Sequence, residues 1–302
     1  MNVLIRADSS SSIGTGHIMR DLVLASRFEN VSFATRDLSG NINFKIKESD
    51  YDIYILKDNT LEELAKAIAK HLPDLVIIDN YDIDYEFEKS FKEKYPDIKL
   101  MVLDDVYDKH YCDVLLNHNI YADKRKYKNL VPKTCDIRCG SDYTLLREEF
   151  YKYKSRVKYH KDKNKFLAVF VAMGGADHSN INIPILNVIE KVGGISVNII
   201  TTSANRNLEE LKNYCLGKPW INMYINSSSV AKLMSESDFA IVTPSVTVNE
   251  VCFMEIPLIA IKTAQNQTYM FDYLKSKDIC VLEHFEAEKL SKAISKFKER
   301  VW

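Results

Sequence analysis

Short apolar runs alternate with amphipathic stretches along the chain. Val3–Ala7, Val31–Ala34, Ile53–Leu56, Leu75–Asp79, Leu100–Leu103 and Val114–Asn117 have the length and continuity of strands buried on both faces. Between them, apolar positions recur at helical spacing in His17–Phe28, Leu61–Leu72 and Tyr85–Lys94. Strands that alternate with helices predict βαβ units and a parallel sheet. The pattern then stops. Tyr151–Lys165, YKYKSRVKYHKDKNK, carries seven Lys/Arg against one acid and has no apolar period. It reads as a solvated linker rather than a nucleic-acid patch. The alternation resumes with strands at Phe166–Met173, Val197–Thr201, Met223–Ile225, Phe239–Val242 and Leu258–Ile261. Helices are expected to start near Asn180, Asn207, Ser229, Thr247 and Tyr269, with a last, Lys-rich one at Ala287–Arg300. The expected fold is α/β, two tandem Rossmann-like domains facing a cleft: 1–150, a linker 151–165, and 166–302 with an extra C-terminal helix.

Composition narrows the partners. The 302 residues hold 41 Lys+Arg and 42 Asp+Glu, a formal charge of −1. A strong nucleic-acid or anionic-membrane binder carries a basic excess, so neither partner is expected. No apolar run is long enough for a membrane span. The N-terminus starts a strand at once, with no signal-peptide pattern. The six cysteines form no CxxC pair, and the Cys135/Cys139 pair lacks a second pair of ligands. Reduced cysteines in a cytoplasmic protein, with no metal and no cofactor, are expected.

Open parallel sheets bind ligands at the carboxyl ends of their strands, so the loops there carry the candidate chemistry. After the first strand comes Asp8-Ser-Ser-Ser-Ser-Ile-Gly14-Thr-Gly16-His17. Gly14 and Gly16 permit a tight turn and close approach of a ligand. Position 19 is Met, where a dinucleotide fingerprint needs a third glycine, and no P-loop lysine follows. His17 opens the next helix, whose positive end disfavours imidazolium; a neutral ring there is a candidate general base, or else packs the turn. Tyr81 follows the strand ending at Asp79 and can reach a cleft or simply line its rim. Asp104-Asp105 reads as a turn or helix cap rather than a magnesium site.

In the second half, Gly174-Gly175 links a strand to a helix beginning near Asn180, an arrangement suited to phosphate or to an ordinary turn. Ser245, Thr247 and Glu250 follow another strand. Their hydroxyls suit a diphosphate, and Glu250 can accept both ribose hydroxyls. Thr247-x-x-Glu250 is equally a capping box. Gln265-Asn266-Gln267 offers amides for sugar hydroxyls or acetamido groups, or is a polar loop.

The segments IRADSSSSIGTGHIMRDLVLA, VIIDNY, CDVLLN, VPKTCDIRCGSDYTLLREEFY, MGGADHSN, VAKLMSESD, the VNE of Ser245–Glu250, and KTAQNQ span nearly the whole chain in order. Together they resemble the glycosyltransferase-B (GT-B) superfamily and, more narrowly, the UDP-sugar hydrolases of pseudaminic acid biosynthesis. The resemblance implies metal-independent hydrolysis of UDP-2,4-diacetamido-2,4,6-trideoxy-β-L-altropyranose with inversion, by a monomer. It implies His17 as base, Gly14, Tyr81 and Asn266 on the sugar side, and Gly174, Asn180, Ser245, Thr247 and Glu250 on the UDP side. A UDP-sugar glycosyltransferase and a catalytically silent UDP-sugar binder are the alternatives. The chemistry is self-consistent: glycosidases pair two carboxyl groups to protonate an alcohol leaving group, whereas UDP leaves as a stable anion and one base suffices.

Overall fold

Every strand expected from the apolar runs forms, and every strand pair is parallel. The computed structural model describes residues 1–155 and 166–301. The chain divides into two units, Met1–Leu146 and Arg147–Trp302.

In the first unit the strands are β1 (Asn2–Ala7), β2 (Asn30–Arg36), β3 (Asp52–Leu56), β4 (Leu75–Asp79), β5 (Lys99–Leu103), β6 (Val114–Asn117) and β7 (Asp136–Cys139). Their order is β3-β2-β1-β4-β5-β6-β7. Alternation along each strand sends side chains to opposite faces. Leu4, Val76, Ile78, Leu100 and Val102 meet Leu64 and Ile68 of α3 (Leu61–His71) and Phe91 of α4 (Tyr85–Lys94). Val3, Ile5, Ile77, Met101 and Leu103 meet Ile18 and Leu24 of α1 (Gly16–Ala25) and Ile46 of α2 (Asn43–Glu48). Both faces are thus covered, as an all-parallel sheet requires.

The second unit has α5 (Glu148–Lys154), β8 (Leu167–Ala172), α6 (Asn182–Val192), β9 (Ile195–Thr201), α7 (Leu208–Cys215), β10 (Ile221–Ile225), α8 (Val230–Ser235), β11 (Phe239–Val242), α9 (Val246–Phe253), β12 (Leu258–Ile261), α10 (Thr268–Ser276), β13 (Cys280–Leu282) and α11 (Ala287–Val301). The strand order is β10-β9-β8-β11-β12-β13. The last helix is part of the core: Leu290 and Ile294 are buried, and the Phe297 ring stacks on Phe239 with centroids 5.2 Å apart.

Among the described residues, the α-helices and strands that were not expected are α2, β7, α5 and β13. β7 reads DIRC and β13 reads CVL, too short and, in β7, too polar to stand out. α5 changes the expected domain boundary. The division falls at Leu146/Arg147, before the 150/151 junction, and Tyr151–Lys154, expected as linker, is helical. The reason is a buried anchor: Phe150 is fully buried, and Tyr151 packs edge-on against Phe253 of α9 at 4.9 Å. The rest of the expected linker, 156–165, lies outside the described residues. No helix among the described residues is long and apolar enough to cross a membrane.

One buried charge cluster couples the first unit's stability to pH. His110 Nδ1 lies 2.8 Å from Glu88 Oε1, and Nε2 lies 3.8 Å from Asp104 Oδ1. Burial disfavours the imidazolium, but Asp104 and Glu88 outweigh it and raise the pKa from 6.5 to about 9. A raised folded pKa contributes stability that is fully present below pH 6.5 and is lost as pH rises through 9. We expect about 2–3 kcal/mol of this kind. Urea unfolding at pH 6 and pH 9.5 should show the difference in the native chain, and His110→Gln should abolish it. An equal pH difference in both proteins would assign it elsewhere.

Candidate active site

In the first unit the chain leaves β1 toward β2 and leaves β4 toward β5, so the loops after β1 and β4 diverge and open a crevice. The loop after β1 begins at buried Asp8. Arg6 grips it with bonds of 2.8 and 2.7 Å, the Arg36 amide and Nε at 2.8 Å each, and Asn80 Nδ2 at 2.9 Å. Burial opposes its ionisation, yet the two arginines hold its pKa at about 2. The loop then folds on itself: Gly14 N donates to Ser10 O at 2.8 Å, and Ile13 N to Ser10 Oγ at 2.9 Å. Gly14 has φ +88°, a conformation that favours glycine, and a Cβ there would meet open space. Asp8, Ile13, His17, Asp79, Asn80, Tyr81 and Asp82 line a pocket of about 50 Å³, room for a few waters.

His17 is buried on the first turn of α1, and its Nδ1 lies 2.7 Å from Asp79 Oδ1. Asp79 ends β4. Its carboxylate can only accept, so Nδ1 carries a proton, and in the neutral ring the lone pair is on Nε2. One turn along α1, Arg20 Nε donates to Asp79 Oδ2 at 2.6 Å, and its Nη2 bonds Asp79 Oδ1. Arg20 Nη2 also approaches His17 Nδ1 at 3.1 Å, a closeness set by the shared carboxylate rather than a second bond. Burial alone would raise the Asp79 pKa; Arg20 and His17 reverse that and hold it far below the usual carboxylate range. Asp21, fully buried without a donor on either oxygen, is pushed well above that range by burial and then by Asp79.

Tyr81 closes the ring of contacts. Its ring stands edge-on to His17 at 4.9 Å, and its hydroxyl donates to Asp105 at 2.7 Å. Arg20 Nη1 donates to Asp105 Oδ2 at 3.0 Å. Asp104 caps its own turn, accepting from Val106 N and Tyr107 N at 3.0 and 2.8 Å. Both carboxylates are thus filled by donors. No cluster of three or more His, Cys, Asp and Glu among the described residues could hold a metal ion.

In the second unit the loops after β8 and β11 diverge in the same way. Gly174 has φ +83°, with open space where a Cβ would stand. Asn180 is exposed, with φ +48°. At the N-terminus of α6, weighed as a phosphate site or as an ordinary turn, the N-cap is Ile181 rather than Asn180, and buried Asp177 accepts from Ile181 N and Asn182 N at 3.2 Å each. The start of α9 is different. Its N-cap Ser245 makes no side-chain cap bond, and the Thr243 and Ser245 hydroxyls lie 3.0 Å apart. Because α9 begins at Val246, Thr247 is inside the helix and Thr247-x-x-Glu250 is not a capping box. Glu250 Oε1 lies 3.5 Å from Arg147 Nη2, and burial raises its pKa to about 7. Asn266 is exposed in the turn Gln265–Gln267, which Gln267 Oε1 shapes by accepting from Thr263 N at 2.8 Å.

No family model matches the chain. It is 38% identical over 277 residues to the UDP-2,4-diacetamido-2,4,6-trideoxy-β-L-altropyranose hydrolase of Campylobacter jejuni, covering 92% of this chain and 97% of the relative. The chain belongs to this hydrolase family. Among solved structures, MurG of Acinetobacter baumannii matches the whole chain with TM-score 0.58 at 15% identity, covering 94% of MurG. UDP-GlcNAc 2-epimerase of Neisseria meningitidis, bound to UDP-GlcNAc, matches with TM-score 0.59 at 13% identity over 100% of this chain and 94% of that one. These show the fold, which is GT-B.

For this hydrolase family member, the sequence singled out His17 and Tyr81, and the structure brings them together. Asp79, Arg20 and Asp105 were missed as working parts. A signal existed for Arg20: His17 and Arg20 are three apart on a helix, hence on one face.

Proposed function

We propose that this chain hydrolyses UDP-2,4-diacetamido-2,4,6-trideoxy-β-L-altropyranose to UDP and the free sugar, the step the family carries out in pseudaminic acid biosynthesis. The observation that carries this reading is the 38% identity, spread over 92% of the chain, to the Campylobacter hydrolase. The first unit supplies the base. His17 Nε2 takes a proton from water while Asp79 orients the ring and balances the imidazolium that forms. Water oxygen bonds to the anomeric carbon, the bond from that carbon to the diphosphate oxygen breaks, and UDP departs with the electron pair. Attack opposite the leaving group inverts the centre.

The second unit takes the nucleotide. The uncapped start of α9, with Ser245 and Thr247, suits the diphosphate, because exposed helical N–H groups and the helix dipole stabilise negative charge. Glu250 accepts from the ribose hydroxyls. Gly174 and Asn180 serve the nucleotide side, and Gly14, Tyr81 and Asn266 the sugar side. Charge stabilisation by this helix makes a metal unnecessary. Incubating the pure protein with the UDP-sugar, with and without EDTA and with and without a sugar acceptor, tests the reading. UDP and free sugar in equal amounts, unaffected by EDTA, are expected. Turnover only with acceptor would make it a transferase; binding without turnover would make it a silent binder.

A further inference from the structure

The nucleotide carboxylate has an unusual neighbour. Arg147 stands immediately before α5, and its guanidinium is fixed on three sides. Nη1 lies 2.7 Å from Glu149 Oε1, the guanidinium carbon lies 5.1 Å from the centre of the Phe150 ring, and Nη2 reaches Glu250 Oε1 at 3.5 Å. Glu149 is itself anchored, its Oε2 accepting from Ala231 N at the start of α8 at 3.2 Å. One cation therefore serves two carboxylates, of which Glu149 is the closer ion partner. We propose that Arg147 is a positioning residue for the nucleotide: it holds Oε1 of Glu250 and so presents Oε2 to the ribose. The inference rests on the assignment of Glu250 to the ribose.

The electrostatics give the arrangement a consequence. Burial pushes the Glu250 carboxyl up, Arg147 opposes this, and Glu149 reinforces it; these two residues, both from the α5 segment, are the charged groups acting on it. Its pKa of about 7 means the carboxylate that accepts two hydroxyls is half formed at neutral pH. A protonated carboxyl turns one acceptor into a donor and loses the charge-assisted bonds. UDP affinity should therefore rise with pH between about 6 and 8. Removing the Arg147 charge moves that rise to higher pH, and removing the Glu149 charge moves it lower.

The test is calorimetric titration of UDP into the full chain at pH 6, 7, 8 and 9, with KM and kcat measured alongside. Arg147→Gln should weaken UDP binding five- to tenfold at pH 7, with much of the loss recovered by pH 9. KM should rise while kcat stays within about twofold, and Arg147→Lys should restore most of the affinity. Glu149→Gln keeps an oxygen for Ala231 N and should bind UDP two- to threefold more tightly than the native chain at pH 6. That variant carries the test if Arg147→Gln does not fold. Native-like binding by Arg147→Gln at every pH, while Glu250→Gln binds weakly, overturns the role of Arg147 and leaves the ribose assignment standing. Normal binding by Glu250→Gln overturns the ribose assignment, and the inference with it. A loss in Arg147→Gln that is the same at every pH would place the guanidinium on the ligand itself and overturn the positioning role.

Discussion

His17→Asn is expected to bind UDP within about twofold of the native protein while kcat falls by about 10²–10⁴, the contribution of a well-placed general base. The Asn amide is small enough for the site and can still donate toward Asp79, so Asp79 and Arg20 keep their bond. What it lacks is a basic nitrogen where Nε2 stood. UDP binding should survive because the residues proposed for the nucleotide belong to the other unit. Kd for UDP by calorimetry and single-turnover rates on the UDP-sugar separate the two effects. Near-native turnover would remove His17 from the role of base. An equal loss of UDP binding would mean the residue shapes the nucleotide site instead.

The second large effect is expected at Asp79. Asp79→Asn replaces an acceptor-only group by one that can donate, so the His17 ring can turn its lone pair toward the amide and place its proton on Nε2. That tautomer cannot accept a proton from water, and by analogy with triads of this kind kcat should fall by about 10³–10⁴. The same change deprives buried Arg20 of its main counter-charge, leaving Asp105 as its remaining hydrogen-bonded carboxylate. Breaking a buried pair destabilises by about 3–5 kcal/mol, and the retained Asp105 bond places the expectation at the lower end. Thermal unfolding together with rates per folded molecule reads both losses. A stable Asn variant with full kcat would show that Asp79 neither sets the tautomer nor holds Arg20.

The architecture was legible because it is written in long-range periodicity. The run 75–78 is apolar at every position because both faces of a parallel sheet are covered, unlike the one-sided stripe of an amphipathic helix. Elements with few residues escaped. In β13 only Leu282 is buried, and β7 has no buried residue, so hydrophobic pattern had little to report. α5 was hidden by its lysines: one buried residue, Phe150, decides its place in the second unit, and a single anchor gives no period.

The site was legible in part for a related reason. His17 follows two glycines at the carboxyl end of a strand, a position that topology alone makes suggestive. Its partner Asp79 is distant in sequence, and pairing β1 with β4 is what brings the two together: Ala7 sits opposite Asp79. Register of that kind is not visible in composition or spacing. The start of α6 shows the reverse case. Glycines followed by a helix suggested either an anion site or an ordinary turn; Asp177 accepts from the first amides of that helix, a contact between near neighbours that spacing did not reveal, and the N-cap side chain of α9 makes no such bond.

The central claim is that water, activated by His17, attacks carbon. Hydrolysis of the UDP-sugar in ¹⁸O-labelled water, with both products analysed by mass spectrometry, tests it directly. The label should appear in the free sugar at its anomeric oxygen, and UDP should carry none. Label in UDP would mean attack at phosphorus, and would contradict the account.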